Sequence, residues 1–399
     1  MARKTLAALG SAVVVALMAT GCGSTSDTGS DGDSSTQGSG GGKQVAFADQ
    51  ICGQGSGAKP GYKNTYAPLA GGASKLSGAG STFVAPMLSV WTKDYSEQTK
   101  VEVAYQSIGS GGGVQQISAK TVDFGASDTP MKDDEFKAAK GGDIVHIPLT
   151  LGAVVPAYNV KGLKAGLKFD GPTLGKIFTG EIKTWNDPAL KKLNPGIDLP
   201  DEPIAVVHRS DGSGTTAVWT DYLTKESPEW VSKLGGADKS FGKEVAWPTG
   251  IGGKGNEGVS GQVNQTEGSI GYVELAYALS QNMNYGQVKN KAGKFIQPCV
   301  ETVSADTEGL TYPADLRTSL TDGTNENAYP ISGTTYALVY KNQTDKAKAA
   351  SLVNFLSWVL TNGQDDAEQI HYAPLGKDLQ AKAYAQLKLI TLNGKPLVK

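Results

Sequence analysis

The chain has 399 residues, longer than one average domain, and its 37 Lys+Arg against 39 Asp+Glu contain no basic block, which excludes an electrostatic nucleic-acid binder. The 52 glycines are about twice the usual ~7 % share, partly in a linker and largely in loops between periodic segments. With a formal charge of −2, any anion the chain holds must be held by local donors rather than by its overall field.

At the N-terminus, Arg3 and Lys4 precede an apolar run from Leu6 to Met18, too short to span a bilayer as a mature helix. The pattern predicts a signal peptide over residues 1–21. Leu17-Met18-Ala19-Thr20-Gly21-Cys22 resembles a bacterial lipoprotein box, with Ala19 where Leu is usual. That resemblance implies cleavage before Cys22 and a lipid on its thiol; the alternative is a plain secretory peptide with an incidental cysteine. Gly23 to Gly42 is dominated by Gly, Ser, Thr and Asp with no apolar residue, so residues 22–44 read as a flexible tether. Residues 45–75 form an extension poor in regular structure. With Cys22 lipidated, Cys52 and Cys299 remain, an even number in an oxidising compartment. A disulfide between them is the simplest reading, and two unpaired buried thiols are the alternative.

The folded part begins with a Gly/Ser/Thr turn, Gly78 to Thr82, feeding a helix whose Phe83, Met87, Leu88, Trp91 and Tyr95 share one face. Pro86 falls in its first turn, where a missing N–H is no loss. Val101-Glu102-Val103-Ala104-Tyr105 alternates like a strand. A glycine turn, Gln106 to Gly113, follows, and Val114 opens a helix. Thr121 to Pro130 reads as a short strand ending in a polar turn, with Asp128 placed to cap a helix near Met131. Ile144 to Tyr158 is an apolar run interrupted by Pro148 and Pro156, suggesting a strand that crosses between domains. Further strands are expected at Pro203–Val207, Gly268–Val273 and Tyr336–Tyr340, with a helix over Ala347–Leu360. Alternating strands and helices argue for α/β domains with mainly parallel sheets, whose ligands sit at the carboxyl ends of the strands.

His208-Arg209-Ser210-Asp211-Gly212-Ser213-Gly214-Thr215-Thr216 connects the strand at Pro203–Val207 to a helix beginning near Ala217. Small turn residues let backbone N–H groups approach a ligand, and the positive end of the helix dipole points at the same spot. Arg209 adds a planar fork of donors suited to an oxyanion, and Ser213, Thr215 and Thr216 add hydroxyls. The same residues also suit an ordinary turn in which Ser caps the helix and Arg209 pairs with Asp211 at the surface. Neither a dinucleotide fingerprint at Gly109–Val114 nor a P-loop at Gly250–Gly255 has its required residues, and no metal-ligand cluster is present.

Several motifs in order resemble the phosphate-binding proteins of bacterial ABC phosphate importers: Gly78-Ala79-Gly80-Ser81-Thr82-Phe83, Ile108 to Val114, Val122 to Asp128, Asp211-Gly212-Ser213-Gly214-Thr215, Gly252-Gly253-Lys254-Gly255-Asn256 and Gly268 to Glu274. The segment before Leu76 is not covered. The resemblance implies a two-lobed periplasmic-binding-protein clamshell of type II, with one lobe at 76–149 plus 330–399 and the other at 150–329. It implies phosphate contacts at Thr82, Phe83 (through its backbone), Ser110 and Asp128 in the first lobe and at Arg209, Ser213, Gly214 and Thr215 in the second, with Asp211 holding Arg209. Val84, where a Pro often follows the Phe, and Gly111, where a second Ser is common, depart from the pattern beside contact positions. A carboxylate facing an anion is repulsive unless the anion carries a proton, so Asp128 would favour phosphate over sulfate.

The expected protein is therefore a monomeric, lipid-anchored phosphate receptor on the outer face of the cytoplasmic membrane, passing its ligand to ABC permease subunits, with no catalysis, cofactor or metal. Rival readings are a secreted phosphatase or serine hydrolase using Ser213, a receptor for another oxyanion or a sugar, and an adhesin or signalling module. The enzyme reading lacks a Gly-x-Ser-x-Gly elbow, and His146, His208 and His371 are scattered.

Overall fold

A computed structural model describes residues 52–53, 61 and 67–398. The expected signal peptide and tether, with Cys22, lie outside the described residues. Among those described, no helix is long and apolar enough to cross a membrane.

The elements that build the site are, in chain order, β1 (Lys75–Gly80), α1 (Ala85–Thr99), β2 (Glu102–Ser107), α2 (Ser110–Ala119), β3 (Phe124–Ser127), α3 (Asp133–Ala138), β4 (Ile144–Asn159), β5 (Ala205–Arg209), α4 (Gly214–Glu226), β6 (Ile251–Gly253), α5 (Gly255–Gln265), β7 (Ser269–Glu274), β8 (Asn284–Tyr285), β9 (Ser332–Tyr340) and α6 (Lys346–Val359). The nine strands form one sheet in the order β2-β1-β3-β9-β4-β7-β5-β6, with β8 paired to β4.

The sheet is mixed rather than mainly parallel. Its two outer portions are parallel, β1 with β2 and β3 and β5 with β6 and β7. The middle is antiparallel, because β9 returns against both β3 and β4, and β4 runs antiparallel to β7. β4 changes partner along its length: Ile144 to Ala153 pair with β9, and Val154 to Asn159 with β7. Fifteen of its sixteen residues are buried, as expected of a strand covered on both faces, which reads as a continuous apolar run instead of alternating. Pro148 has no N–H to give the ladder, and the β4–β9 register slips by one residue between Thr335 and Tyr336, opposite Pro148 and Thr150. Such bulges re-aim side chains.

Helices cover the faces. α1 buries Met87, Leu88, Trp91 and Tyr95, and Tyr95 meets Phe355 of α6 edge-on with centroids 5.2 Å apart. On the other half, Trp219 of α4 stacks on Tyr272 of β7 at 5.1 Å. β1 is a strand that sequence periodicity does not announce, since Leu76 is the only large apolar residue in Lys75–Gly80. Gly80, at φ 143°, is required there: a Cβ would lie 2.1 Å from the Ala126 carbonyl oxygen. Cys52 and Cys299 are joined by a disulfide. The extension is also fastened by the amide of Leu69, which donates to Asn354 on α6, and by Ser351, which donates to the Ala73 carbonyl.

Candidate functional site

Four strand-to-helix turns converge at the carboxyl ends of the parallel strands, where open α/β sheets place their ligands. β1 leads through Ser81–Val84 to α1, β2 through Ile108 and Gly109 to α2, β5 through Ser210–Ser213 to α4, and β6 through Lys254 to α5. First-turn amides of a helix have no intrahelical acceptor, so each turn presents N–H groups and the positive end of a helix dipole. α2 begins at Ser110, four residues before the position periodicity suggests, because three consecutive glycines hide its first turn.

Asp128 is the centre of the first half of the site, 3 % exposed. It does not cap α3, whose N-terminus is closed by Glu135 accepting from the Lys132 amide. Instead Asp128 Oδ1 accepts from Ser81 Oγ at 2.5 Å and Thr335 Oγ1 at 2.7 Å, and Oδ2 accepts from Ser110 Oγ at 3.2 Å. Burial raises the Asp128 carboxyl above its ordinary value, against the hydrogen bonds of Ser81, Thr335 and Ser110 and the charge of Arg209, which pull it down.

Arg209 is the centre of the second half, also 3 % exposed. Both ordinary-turn expectations for this stretch hold, but in the interior. Ser213 Oγ caps α4 by accepting from the Thr216 amide at 3.0 Å. Arg209 forks onto Asp211 through Nε at 2.8 Å and Nη2 at 2.6 Å, with side chains only 1 % and 15 % exposed. For Asp211, burial acts upward but is outweighed by the Arg209 hydrogen bonds and charge, so its carboxyl lies below the ordinary value. The Arg209 amide donates to Tyr272 Oη at 3.1 Å, and that hydroxyl also meets Thr216 Oγ1 at 2.6 Å, fixing the turn to the aromatic core.

The two halves touch. The Gly111 amide donates to the Gly212 carbonyl at 2.8 Å. Gly214 packs against Asp128 and Ser110 so closely that a Cβ would stand 2.4 Å from Asp128 Oδ2 and 2.5 Å from Ser110 Oγ. Arg209 Nη1 reaches Thr215 Oγ1 at 3.5 Å, and Asn256 Nδ2 bridges Thr215 Oγ1 at 3.1 Å and Thr82 Oγ1 at 2.8 Å. Thus Asn256 links Thr82 to Thr215, which Arg209 also reaches, and Ser110, Asp128 and Gly214 lie in direct contact, with Phe83 and Ser213 next in the chain to Thr82 and Gly214. The Phe83 ring itself points into the core, meeting Tyr372 edge-on at 6.3 Å. Three participants were not singled out from the sequence. Ser81 and Asn256 lie inside motifs already quoted; Thr335 carries no signal, since only the pairing of β9 with β3 brings it to Asp128.

The arrangement suits binding rather than catalysis. His208 stacks on Trp247 at 4.9 Å, and its Nδ1 meets the Arg209 carbonyl oxygen at 2.9 Å; it is not poised to activate Ser213, whose Oγ accepts from an amide.

A family model described as a PBP superfamily domain matches residues 33–362. Over 315 residues the chain is 44 % identical to the phosphate-binding protein PstS of Xylella fastidiosa, an alignment covering 78 % of this chain and 84 % of that one. The chain belongs to the PstS phosphate-binding protein family. It is a binding protein and not an enzyme. The PstS of Pasteurella multocida is 42 % identical over 319 residues, covering 79 % of this chain and 90 % of that relative. The PstS-family fold recurs in the crystal structure of a phosphate-binding protein from Stenotrophomonas maltophilia, with a TM-score of 0.59 at 20 % identity, covering 78 % of this chain and 94 % of that one.

Proposed function

We propose that this chain captures inorganic phosphate between two lobes, residues 76–149 with 330–399 and residues 150–329, and delivers it to the permease of an ABC importer. The observation that carries the reading is the proximity of one buried acceptor and one buried cation, Asp128 and Arg209, each 3 % exposed and near enough for the Arg209 charge to act on the Asp128 carboxyl. Arg209 is already neutralised by Asp211, so the net pull on an anion comes from helix N-termini, each worth about half a positive charge, and from hydroxyl donors. These would hold any tetrahedral oxyanion. Asp128 adds the requirement that the oxyanion carry a proton. The hydroxyls of Thr82, Ser213 and Thr215 and the amides of Phe83, Ser110, Gly214 and Thr215 serve as donors in this reading, the Ser110 hydroxyl being committed to Asp128, and a closed cleft with Gly111 bonded to Gly212 is the form that retains ligand.

The anchor is lipid on Cys22, placing the protein on the outer face of the cytoplasmic membrane; the lipoprotein-like Ala19 to Cys22 supports it. Mass spectrometry of the membrane fraction should then find a diacylglyceryl N-terminus at Cys22. The function is tested by calorimetric titration of the ligand-free protein with phosphate, arsenate and sulfate. Phosphate and arsenate, both protonated at neutral pH, should bind tightly and sulfate should not; equal binding of sulfate would remove the reading.

A further inference from the structure

Asn256 is fully buried at the first turn of α5, and each of its polar atoms has a fixed partner. Its Oδ1 accepts from the Glu274 amide at 2.9 Å. A backbone N–H can only donate, so the side-chain amide can be oriented only one way, with Nδ2 toward the site. From there Nδ2 donates to Thr82 Oγ1 at 2.8 Å and to Thr215 Oγ1 at 3.1 Å, while the Asn256 backbone amide donates to Thr82 Oγ1 at 3.1 Å.

The consequence lies in the hydroxyls. A threonine hydroxyl has two acceptor lone pairs and one hydrogen. Both lone pairs of Thr82 Oγ1 are taken by Asn256, so its hydrogen has to donate elsewhere. Thr215 Oγ1 receives Asn256 Nδ2 on one side and Arg209 Nη1 at 3.5 Å on the other, leaving it the same single option. Ordinary hydroxyls rotate and serve as donor or acceptor; these two are locked as donors.

We infer that Asn256 is a positioning residue for the anion site, which turns the Thr82 and Thr215 hydroxyls into obligatory donors toward the bare oxygens of the bound oxyanion. The inference rests on the phosphate reading above and adds a specific division of labour: Asp128 accepts at one corner of the ligand, and Asn256 forbids acceptance at two others. It also ties the halves of the site together, because Thr82 follows β1 while Thr215 and Asn256 follow β5 and β6. Closing the halves and orienting the donors are then one event.

The test is Asn256→Asp, equal in size but with an acceptor in place of Nδ2. At neutral pH an ionised Asp takes the Thr82 and Thr215 hydrogens for itself, so phosphate affinity should fall by about 10²-fold, the loss of two donors to an anion. It should recover in part as the pH is lowered and the new carboxyl regains one proton to donate, enough for one of the two hydroxyls, an acid-side recovery that the unaltered protein lacks. Asn256→Ala frees the hydroxyls without reversing them and should cost about tenfold, independent of pH. A purely structural role predicts similar, pH-independent losses for both variants, and that result would overturn the assignment. Should the Asp variant not fold, a double-mutant cycle of Asn256→Ala with Thr82→Val decides: the cost of Asn256→Ala must shrink once the Thr82 hydroxyl is gone, and strict additivity overturns the assignment. Absence of phosphate binding by the unaltered protein would remove the proposed function and this assignment together, whereas tight binding by both the unaltered protein and Asn256→Asp at neutral pH would remove only the assignment.

Discussion

Asp128→Asn separates recognition of a protonated oxyanion from general attraction of anions. An ionised carboxylate offers about four lone-pair sites. Ser81, Thr335 and Ser110 fill three of them, which leaves one for a ligand. A phosphate bearing a proton fills that site with its own hydroxyl. Sulfate brings a bare oxygen instead, leaving a buried charged acceptor unpaired and opposed by like charge. That omission costs about 3 kcal/mol, or roughly 10²-fold in affinity. The amide of Asn keeps one acceptor oxygen but turns N–H groups toward the ligand, and a bare sulfate oxygen can accept from them. The expected result is a shift of about 10²-fold toward sulfate in the sulfate-to-phosphate ratio, with a smaller fall in phosphate affinity, because losing the repulsion partly offsets losing the bond. Competitive titration of both proteins with both anions at fixed pH and salt measures it. A pH series adds an internal control. Burial raises the Asp128 carboxyl, so in the unaltered protein discrimination should weaken as the pH falls toward that raised value and Asp128 gains a proton; the Asn variant should show no such change. An identical ratio in the two proteins at neutral pH would refute the reasoning and reduce Asp128 to an organiser of three hydroxyls.

Arg209→Ala should weaken phosphate binding by roughly 2–5 kcal/mol, since it removes a desolvated guanidinium and leaves the Asp211 carboxylate with the Gly255 amide but no cation; calorimetry that finds unchanged affinity would take Arg209 out of the site. Glu274 is fully buried at the end of β7, where Tyr372 Oη lies 2.9 Å from its Oε2 and 2.6 Å from the Phe83 carbonyl oxygen. One phenolic hydrogen cannot serve both acceptors, and burial lifts the Glu274 carboxyl well above its usual range despite the bonds from Tyr372 and the Ala276 amide, so folding favours its protonated form. An unfolded Glu titrates near 4.3, so as the pH rises from there toward the raised folded value the native state retains a proton the unfolded chain has lost, and stability falls by about 1.4 kcal/mol per pH unit. Glu274→Gln should flatten that slope in urea unfolding followed across the range, with a gain in stability at its upper end; an unaltered slope would show that Glu274 is ionised. Replacing Cys52 and Cys299 by Ser opens a loop of sequence separation 247 and should cost about 2–5 kcal/mol of stability while leaving phosphate affinity unchanged, because the disulfide is remote from Asp128 and Arg209 in the chain; a large loss of affinity would show that the bridge holds the site together.

What the sequence determined by itself is local. The face of α1 carrying Met87, Leu88, Trp91 and Tyr95 is legible because helical spacing is set within four residues, and the turn at Arg209–Thr216 is legible because a strand, small residues and a helix start follow each other directly. The long apolar run of β4 announced a buried strand because contiguous apolar residues are likewise a local signal. Tertiary structure decided whatever depends on distant partners. β1 is glycine-rich and becomes a strand only between β2 and β3. The mixed sheet follows from the return of β9 against β3 and β4, a direction that no local pattern encodes. The carboxylate of Asp128 reads as a helix cap in sequence, since Asp before a helix usually caps it; it becomes the acceptor of three hydroxyls because strand pairing delivers Thr335 from 207 residues away. Arg209 and Asp211 would form a surface pair wherever the turn was open to water, and the closure of Gly111 on Gly212 is what takes them inside. Burial and long-range register are collective properties of the packed chain, so residue types and turn chemistry can be read in order, while the charge state and the direction of each hydrogen bond are fixed only after the halves have met.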